Sequence, residues 1–148
     1  MNQPALVLAC PACASLNRVA SDRLSQQPNC GRCHQPLFQG KPVALTGASF
    51  EQHAVRSELP VVIDFWAPWC GPCLSMAPQF EAAATLLEPQ VRLAKVDTEA
   101  EQDLGARFQI RSIPTMLLIR HGREVARQSG AMASAQIVQW VQSQLARS

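Results

Sequence analysis

A chain of 148 residues and 16.1 kDa, 47% hydrophobic and 16% charged, has the apolar content of a globular protein and room for one ordinary domain with an appendage. No apolar run approaches the roughly 20 residues that a membrane-spanning helix needs. The formal net charge of +2 is too small to argue for a nucleic-acid binder, and Arg18, Arg23 and Arg32 against Asp22 place the whole excess in the first 40 residues.

Residues 1–40 carry few large apolar side chains, the turn formers Pro28-Asn29 and Cys30-Gly31, and four cysteines. Such a segment cannot bury enough surface to fold alone and needs a staple. Cys10 and Cys13 are separated by two residues, as are Cys30 and Cys33, with sixteen residues between the pairs. Two residues between cysteines let one turn supply two corners of a tetrahedron, so the spacing fits one zinc ion held by four thiolates. Two disulfides or free thiols are the alternatives, and the compartment decides between them. The start Met1-Asn2-Gln3-Pro4 has no basic residue, and the apolar stretch Ala5–Cys10 is shorter than the roughly 7 to 15 residues of an export-signal core. A reduced, cytoplasmic setting is therefore expected, and with it a metal. Four cysteine ligands leave no open coordination position, so the zinc is expected to be structural. His34, beside Cys33, is an alternative ligand; a solvated loop histidine is the plainer reading. Gln39-Gly40-Lys41-Pro42 reads as a linker, dividing the chain into a zinc-ribbon-like domain (1–40) and a larger domain (41–148).

From Val43 strands and helices alternate. Val43–Thr46 predicts a short strand and Ser49–Val55 a short helix. Pro60–Trp66 is a continuous apolar strand of the kind buried on both faces. Pro72–Glu88 is helical, with Met76, Phe80, Ala83, Ala84 and Leu87 on one face and a kink expected at Pro78. Val91–Val96 predicts a strand and Glu99–Phe108 a helix; Thr115–Ile119 and Glu124–Gln128 pair as a hairpin. Ser134–Leu145 is an amphipathic helix with Ile137, Val138, Val141 and Leu145 inward. The sum is an α/β fold, a mixed sheet covered by helices on both faces.

The third cysteine pair, in Trp69-Cys70-Gly71-Pro72-Cys73, lies where the buried strand runs into a helix. Unpaired N–H groups at the helix start favour a Cys70 thiolate, and Pro72 suits the first turn because it has no N–H to lose. Cys73 lies one turn along and further in, giving one exposed nucleophile and one resolving thiol. A third zinc pair is the alternative, but it lacks a partner pair. Asp64, a carboxylate inside an apolar strand, is costly unless it is paired or has a task.

Asp64-Phe65-Trp66-Ala67-Pro68-Trp69-Cys70-Gly71-Pro72-Cys73 resembles the active-site signature of the thioredoxin family. Ile113-Pro114-Thr115 resembles that family's cis-proline loop and Ser129-Gly130-Ala131 its third substrate-facing loop. The similarity covers about residues 43–146, and the ribbon in front resembles that of zinc-ribbon-bearing bacterial members. The resemblance implies a thioredoxin fold and thiol–disulfide exchange. Cys70 attacks a target disulfide, Cys73 resolves the mixed disulfide, and Asp64, raised in pKa by burial, accepts the Cys73 proton directly or through a water. Lys95 tunes Asp64, or is a snorkelling surface lysine. Pro114 is expected to be cis, although an X–Pro bond read from sequence alone is trans. The Ile113 backbone then pairs with an extended substrate, and Trp69, Gly71, Pro72, Pro114, Gly130 and Ala131 complete the substrate rim. Trp66 is read as core packing.

Pro68 and Leu74 depart from the charged residues of the commonest bacterial members, so Cys70 acidity and partner choice are expected to differ. The implied partners are disulfide-containing proteins and an NADPH- and FAD-dependent thioredoxin reductase, with a monomer, no bound organic cofactor and no membrane. A disulfide oxidant or isomerase is the alternative in an oxidising compartment; the missing export signal and Gly71-Pro72 weigh against it. A ribbon that binds protein or nucleic acid is another alternative, against which four thiolates cancel the local positive charge. A redox-responsive ribbon that sheds metal on oxidation stands beside a purely structural one.

Overall fold

A computed structural model describes residues 4–147. It opens with a hairpin, β1 (Ala5–Ala9) antiparallel to β2 (Leu16–Ala20), with Ala5 opposite Ala20 and Ala9 opposite Leu16. The main sheet follows: β3 (Val43–Ala44), β4 (Val61–Trp66), β5 (Arg92–Asp97), β6 (Thr115–Arg120) and β7 (Arg123–Ser129), in the order β3-β5-β4-β6-β7. β4 runs parallel to β5 and antiparallel to β6, which explains its unbroken apolar run: neighbours flank it and helices cover it.

Side-chain alternation sorts β4 into two cores. Val61, Ile63 and Phe65 pack with Phe50, Ala54, Leu104 and Phe108 beneath a π-helical segment, Glu51–Arg56, and α2 (Gln102–Arg107). Val62 packs with Met76, Phe80 and Leu87 of α1 (Gly71–Leu87) and with Ile137 and Val141 of α3 (Ser134–Arg147). Asp64 falls on the α1 face by the same alternation. Among the described residues no helix is long and apolar enough to cross a membrane.

The elements differ from their sequence expectations where local polar groups compete. The helix expected over 99–108 begins only at Gln102, because Asp97 Oδ1 accepts the Glu99 and Ala100 N–H groups at 2.9 and 3.4 Å and holds a turn instead. The helix expected over 49–55 is wound in the π form, Ser57 N–H donating to the Gln52 carbonyl at 3.0 Å. α1 ends at Leu87, since Glu88 is extended before Pro89, and the Glu88–Pro89 peptide is cis. β6 and β7 turn through His121 (φ 51°) and Gly122 (φ 79°), both left-handed as a two-residue hairpin loop requires. β7 is the exposed edge of the sheet, where Arg127 pairs with Glu124 at 2.7 Å and donates to the Phe108 carbonyl at 2.6 Å.

The two sheets meet at one end of the larger unit. Val7 N–H donates to Glu58 Oε1 and Glu58 N–H to the Val7 carbonyl, each at 2.7 Å. Leu59 completes a small core with Leu8, Val19 and Leu37, so the hairpin unit borrows apolar surface it lacks. The segment read as a linker is clamped: Gly40 (φ 70°) donates its N–H to Glu88 Oε1 at 2.8 Å, and its carbonyl accepts from Thr85 Oγ1 at 3.0 Å.

Candidate functional site

Cys10–Cys13 and Cys30–Cys33 form two knuckles of the same build. Ala14 N–H donates to the Cys10 carbonyl at 2.9 Å and His34 N–H to the Cys30 carbonyl at 3.0 Å; Ala14 (φ 63°) and His34 (φ 67°) are both left-handed. Cys10 and Cys30 donate their N–H groups to Ser15 and Gln35 carbonyls at 2.9 and 2.8 Å, closing each loop. The turns bring all four sulfurs within 4.8 Å of one another, with Cys10 Sγ 3.6 Å from Cys33 Sγ and Cys13 Sγ 3.7 Å from Cys30 Sγ. A Zn–S bond of about 2.3 Å gives a tetrahedron with edges of about 3.8 Å, so the set fits zinc in both donor chemistry and span. Backbone N–H groups of Ala12 and Arg32 point at Cys10 and Cys30 sulfurs at 3.3 and 3.4 Å. Hydrogen bonds from the Cys33 N–H and the Asn17 amide hold the Cys30 thiol down at about 5, while burial pushes Cys10 up to about 12. His34 is exposed and lies outside the cluster.

At the far end of the sheet β4 delivers Cys70 to the start of α1. Cys70 is extended (φ −89°, ψ 110°), and its Sγ accepts the Cys73 N–H at 3.2 Å, so the sulfur itself caps the helix. Cys70 and Cys73 are disulfide-bonded. Cys70, expected to be the exposed member, is 5% exposed against 2% for Cys73: Trp66, Ala67 and Ile113 pack around the bonded pair. The exposed features beside it are the ring of Trp69 and the side chain of Leu74.

Asp64 is 1% exposed, and neither carboxylate oxygen has a hydrogen-bond partner. Burial pushes it up to about 7, with the Lys95 charge pulling the other way. Lys95 stands opposite Asp64 in the parallel β4–β5 pairing and holds its ammonium 4.4 Å from the centre of the Trp66 ring. Trp66 is half-buried and packs against the bonded cysteines.

Three loops converge above the sulfurs. The Ile113–Pro114 peptide is cis, and the Ile113 carbonyl oxygen lies 3.8 Å from Cys70 Sγ. Gly130 (φ 99°) donates its N–H to the Pro114 carbonyl at 2.9 Å; a side chain there would meet open space, so glycine is required by the backbone angle and not by crowding. Gly71, Pro72 and Ala131 are exposed around them.

Both geometries have counterparts among known proteins. The Thioredoxin family matches residues 41–143, and the family described as Thioredoxin 2, N-terminal, matches residues 9–35. Thioredoxin C-3 of Corynebacterium nephridii is 45% identical over 140 residues, covering 95% of this chain and 96% of that one. The chain belongs to the thioredoxin family. It is a thiol–disulfide oxidoreductase with a zinc-ribbon region in front, and Cys70 and Cys73 occupy the family's active-site position. Other thioredoxins match over a shorter stretch: the Haemophilus influenzae protein is 40% identical over 97 residues, 66% of this chain and 91% of its own. That of Rhodospirillum rubrum is 33% identical over 99 residues, 67% of this chain and 95% of its own.

Two features of this thioredoxin are absent from its sequence pattern. Trp69 Nε1 donates to Glu99 Oε1 at 2.6 Å, fixing the exposed ring over a groove of about 540 Å³ lined by Thr98, Gln102, Gln109, Arg111 and Ile113. No motif links Glu99 to Trp69, since the contact follows from the turn that replaces the start of α2. The second is distance. The ribbon docks at Leu59 and Arg92, where β4 and β5 begin, whereas Cys70 follows their far ends. Six strand residues put about 17 Å between the two.

Proposed function

We propose that this thioredoxin is a cytoplasmic protein-disulfide reductase recharged by an NADPH- and FAD-dependent thioredoxin reductase. The observation that carries the reading is a helix-capping sulfur bonded to a second cysteine, just past a strand that holds a buried carboxyl with no partner. In the reduced protein the Cys70 thiolate, favoured by the helix N-terminus, attacks one sulfur of a target disulfide. The target's S–S bond breaks, one target thiolate leaves, and Cys70 is joined to the other. Asp64 takes the proton of Cys73, and the resulting thiolate attacks Cys70 Sγ, releasing the second target thiolate. The target gains two electrons, Cys70 and Cys73 lose two, and the described structure holds that oxidised product. A carboxyl held at about 7 suits the step, because it is near half ionised at neutral pH.

The target approaches as an extended segment. The Ile113 backbone offers it hydrogen bonds, and Pro114, Gly130 and Ala131 border the sulfurs on the same side. Trp69, Gly71 and Pro72 form the remaining rim, and Lys95 moderates Asp64. Within a division into residues 1–40 and 41–148, Cys10, Cys13, Cys30 and Cys33 hold one zinc ion. A zinc ion held there would cross-link the two knuckles and offset half of the thiolate charge, and a reducing compartment keeps those thiols available for it. No organic cofactor is needed for the exchange.

The test is NADPH-coupled reduction of a protein disulfide with thioredoxin reductase. Wild type turns over, Cys70→Ser falls to background, and Cys73→Ser stalls as a mixed disulfide visible as a mass increment equal to the target. Activity surviving Cys70→Ser overturns the reading.

A further inference from the structure

Arg92 belongs to the thioredoxin sheet, yet its side chain serves the ribbon. It is 2% exposed, and its guanidinium divides its donors among three acceptors. Nη2 donates to the Ala9 carbonyl at 3.1 Å and the Leu37 carbonyl at 2.8 Å; Nη1 donates to Glu88 Oε2 at 2.9 Å. The plane lies 4.9 Å from the centre of the Phe38 ring. Ala9 immediately precedes the first knuckle and Leu37 follows the second, so one rigid fork pins the outer flank of both.

Four thiolates around a divalent ion leave a net charge of −2, and Cys10 is fully buried. Charge out of water needs a nearby opposite charge. The ribbon's own arginines, Arg18, Arg23 and Arg32, are exposed. Arg92 is buried, lies within electrostatic reach of Cys10, and is shared with Glu88.

We propose that Arg92 is a positioning residue for the ribbon metal, fixing the flanks of both knuckles and supplying the buried positive charge that the thiolate set requires. The inference rests on the zinc reading above and deepens it, since the metal affinity of the first 40 residues then depends on a side chain of the thioredoxin sheet. Groups arranged around first ligands in this way change metal affinity by about 10- to 100-fold when removed.

The test uses the full chain loaded with zinc and follows transfer of the metal to an excess of chromophoric chelator, with far-UV circular dichroism as the check on folding. Arg92→Met is expected to release zinc at least tenfold faster than wild type, and Arg92→Lys, which keeps the charge but not the fork, falls between them. Glu88→Gln separates charge from clamping. It frees the arginine from its competing anion, so zinc is held at least as tightly as in wild type, whereas a mere clamp would loosen. Zinc release from Arg92→Met at the wild-type rate, or loosening by Glu88→Gln, overturns the proposal. If Arg92→Met does not fold, the Glu88→Gln arm decides alone. A wild-type chain that takes up no zinc overturns the zinc reading itself; a loaded chain indifferent to Arg92→Met overturns only the role of Arg92.

Discussion

The chain uses the same spacing, Cys-x-x-Cys, three times and puts it to two uses. In the ribbon the residue after each pair, Ala14 or His34, turns left-handed, and the backbone folds back so that two pairs face one another. After Cys73 the backbone continues as helix, and that pair closes on itself. Spacing brings two sulfurs together, while the next residue's backbone angle decides whether they meet another pair or each other. What lies beneath differs as well. The ribbon sulfurs sit near a buried cation, Arg92, whereas the strand that leads to the redox pair carries a buried, unpartnered acid, Asp64.

Asp64→Asn should therefore disturb only the redox end, and most strongly. Resolution of the mixed disulfide slows about 100-fold, read by stopped-flow, because the proposed proton acceptor is gone. Stability moves the other way. The folded carboxyl keeps its proton up to about pH 7, whereas the unfolded one loses it near 3.8, so wild-type stability falls as pH rises between those values. At pH 8 the asparagine variant should resist denaturant by about 4 kcal/mol more than wild type. At the ribbon end His53, 2% exposed, is held down at about 4 by burial and by Arg92. It stays neutral while the unfolded histidine gains a proton below 6.5, so its contribution falls as pH drops from 6.5 to 4. The two slopes oppose one another in that window. His53→Gln, measured by chemical denaturation, should unmask a decline with rising pH, and Asp64→Asn an increase.

Stripping zinc with a chelator probes the separation of the two ends. The unfolding midpoint should fall by about 8 °C, from loss of about 3 kcal/mol when free zinc stood a hundredfold above its dissociation constant. Reductase turnover at 20 °C should stay within about twofold; a proportionate loss would show that the ribbon reaches the exchange centre. The smallest effect is reserved for Lys95→Met. Without the opposing charge Asp64 titrates at higher pH, and turnover at pH 7 changes by about twofold, visible as an upward shift of the pH–rate profile.

β4 and α1 were legible because each follows one rule over many residues: an unbroken apolar run, then apolar side chains at helical spacing above a capping cysteine. The ribbon strands were not. β1 and β2 have five residues each, with Asn17 and Arg18 interrupting any alternation, and they exist because Leu59 and the knuckles hold them. Nothing in the sequence singles out Arg92 within the strand expected over 91–96, although it is among the largest fully buried side chains. Asp64 announced itself as a charge in an apolar strand, but that both its oxygens lack a partner is a property of the assembled sheet. Glu99 could be found only after Asp97 had displaced the helix start.

The two outer strands of the main sheet carry one more consequence. β3 is two residues long, and β7 lines its open side with Arg123, Glu124 and Arg127, the last braced against Phe108. Neither border is a smooth template for another strand, since one is too short and the other too charged. A protein that exchanges disulfides with other proteins is thereby kept from collecting extended segments along its flanks. On the function proposed above, target segments are left to pair where Ile113 and Gly130 border the disulfide, so handling clients and avoiding self-association would be met by the same sheet.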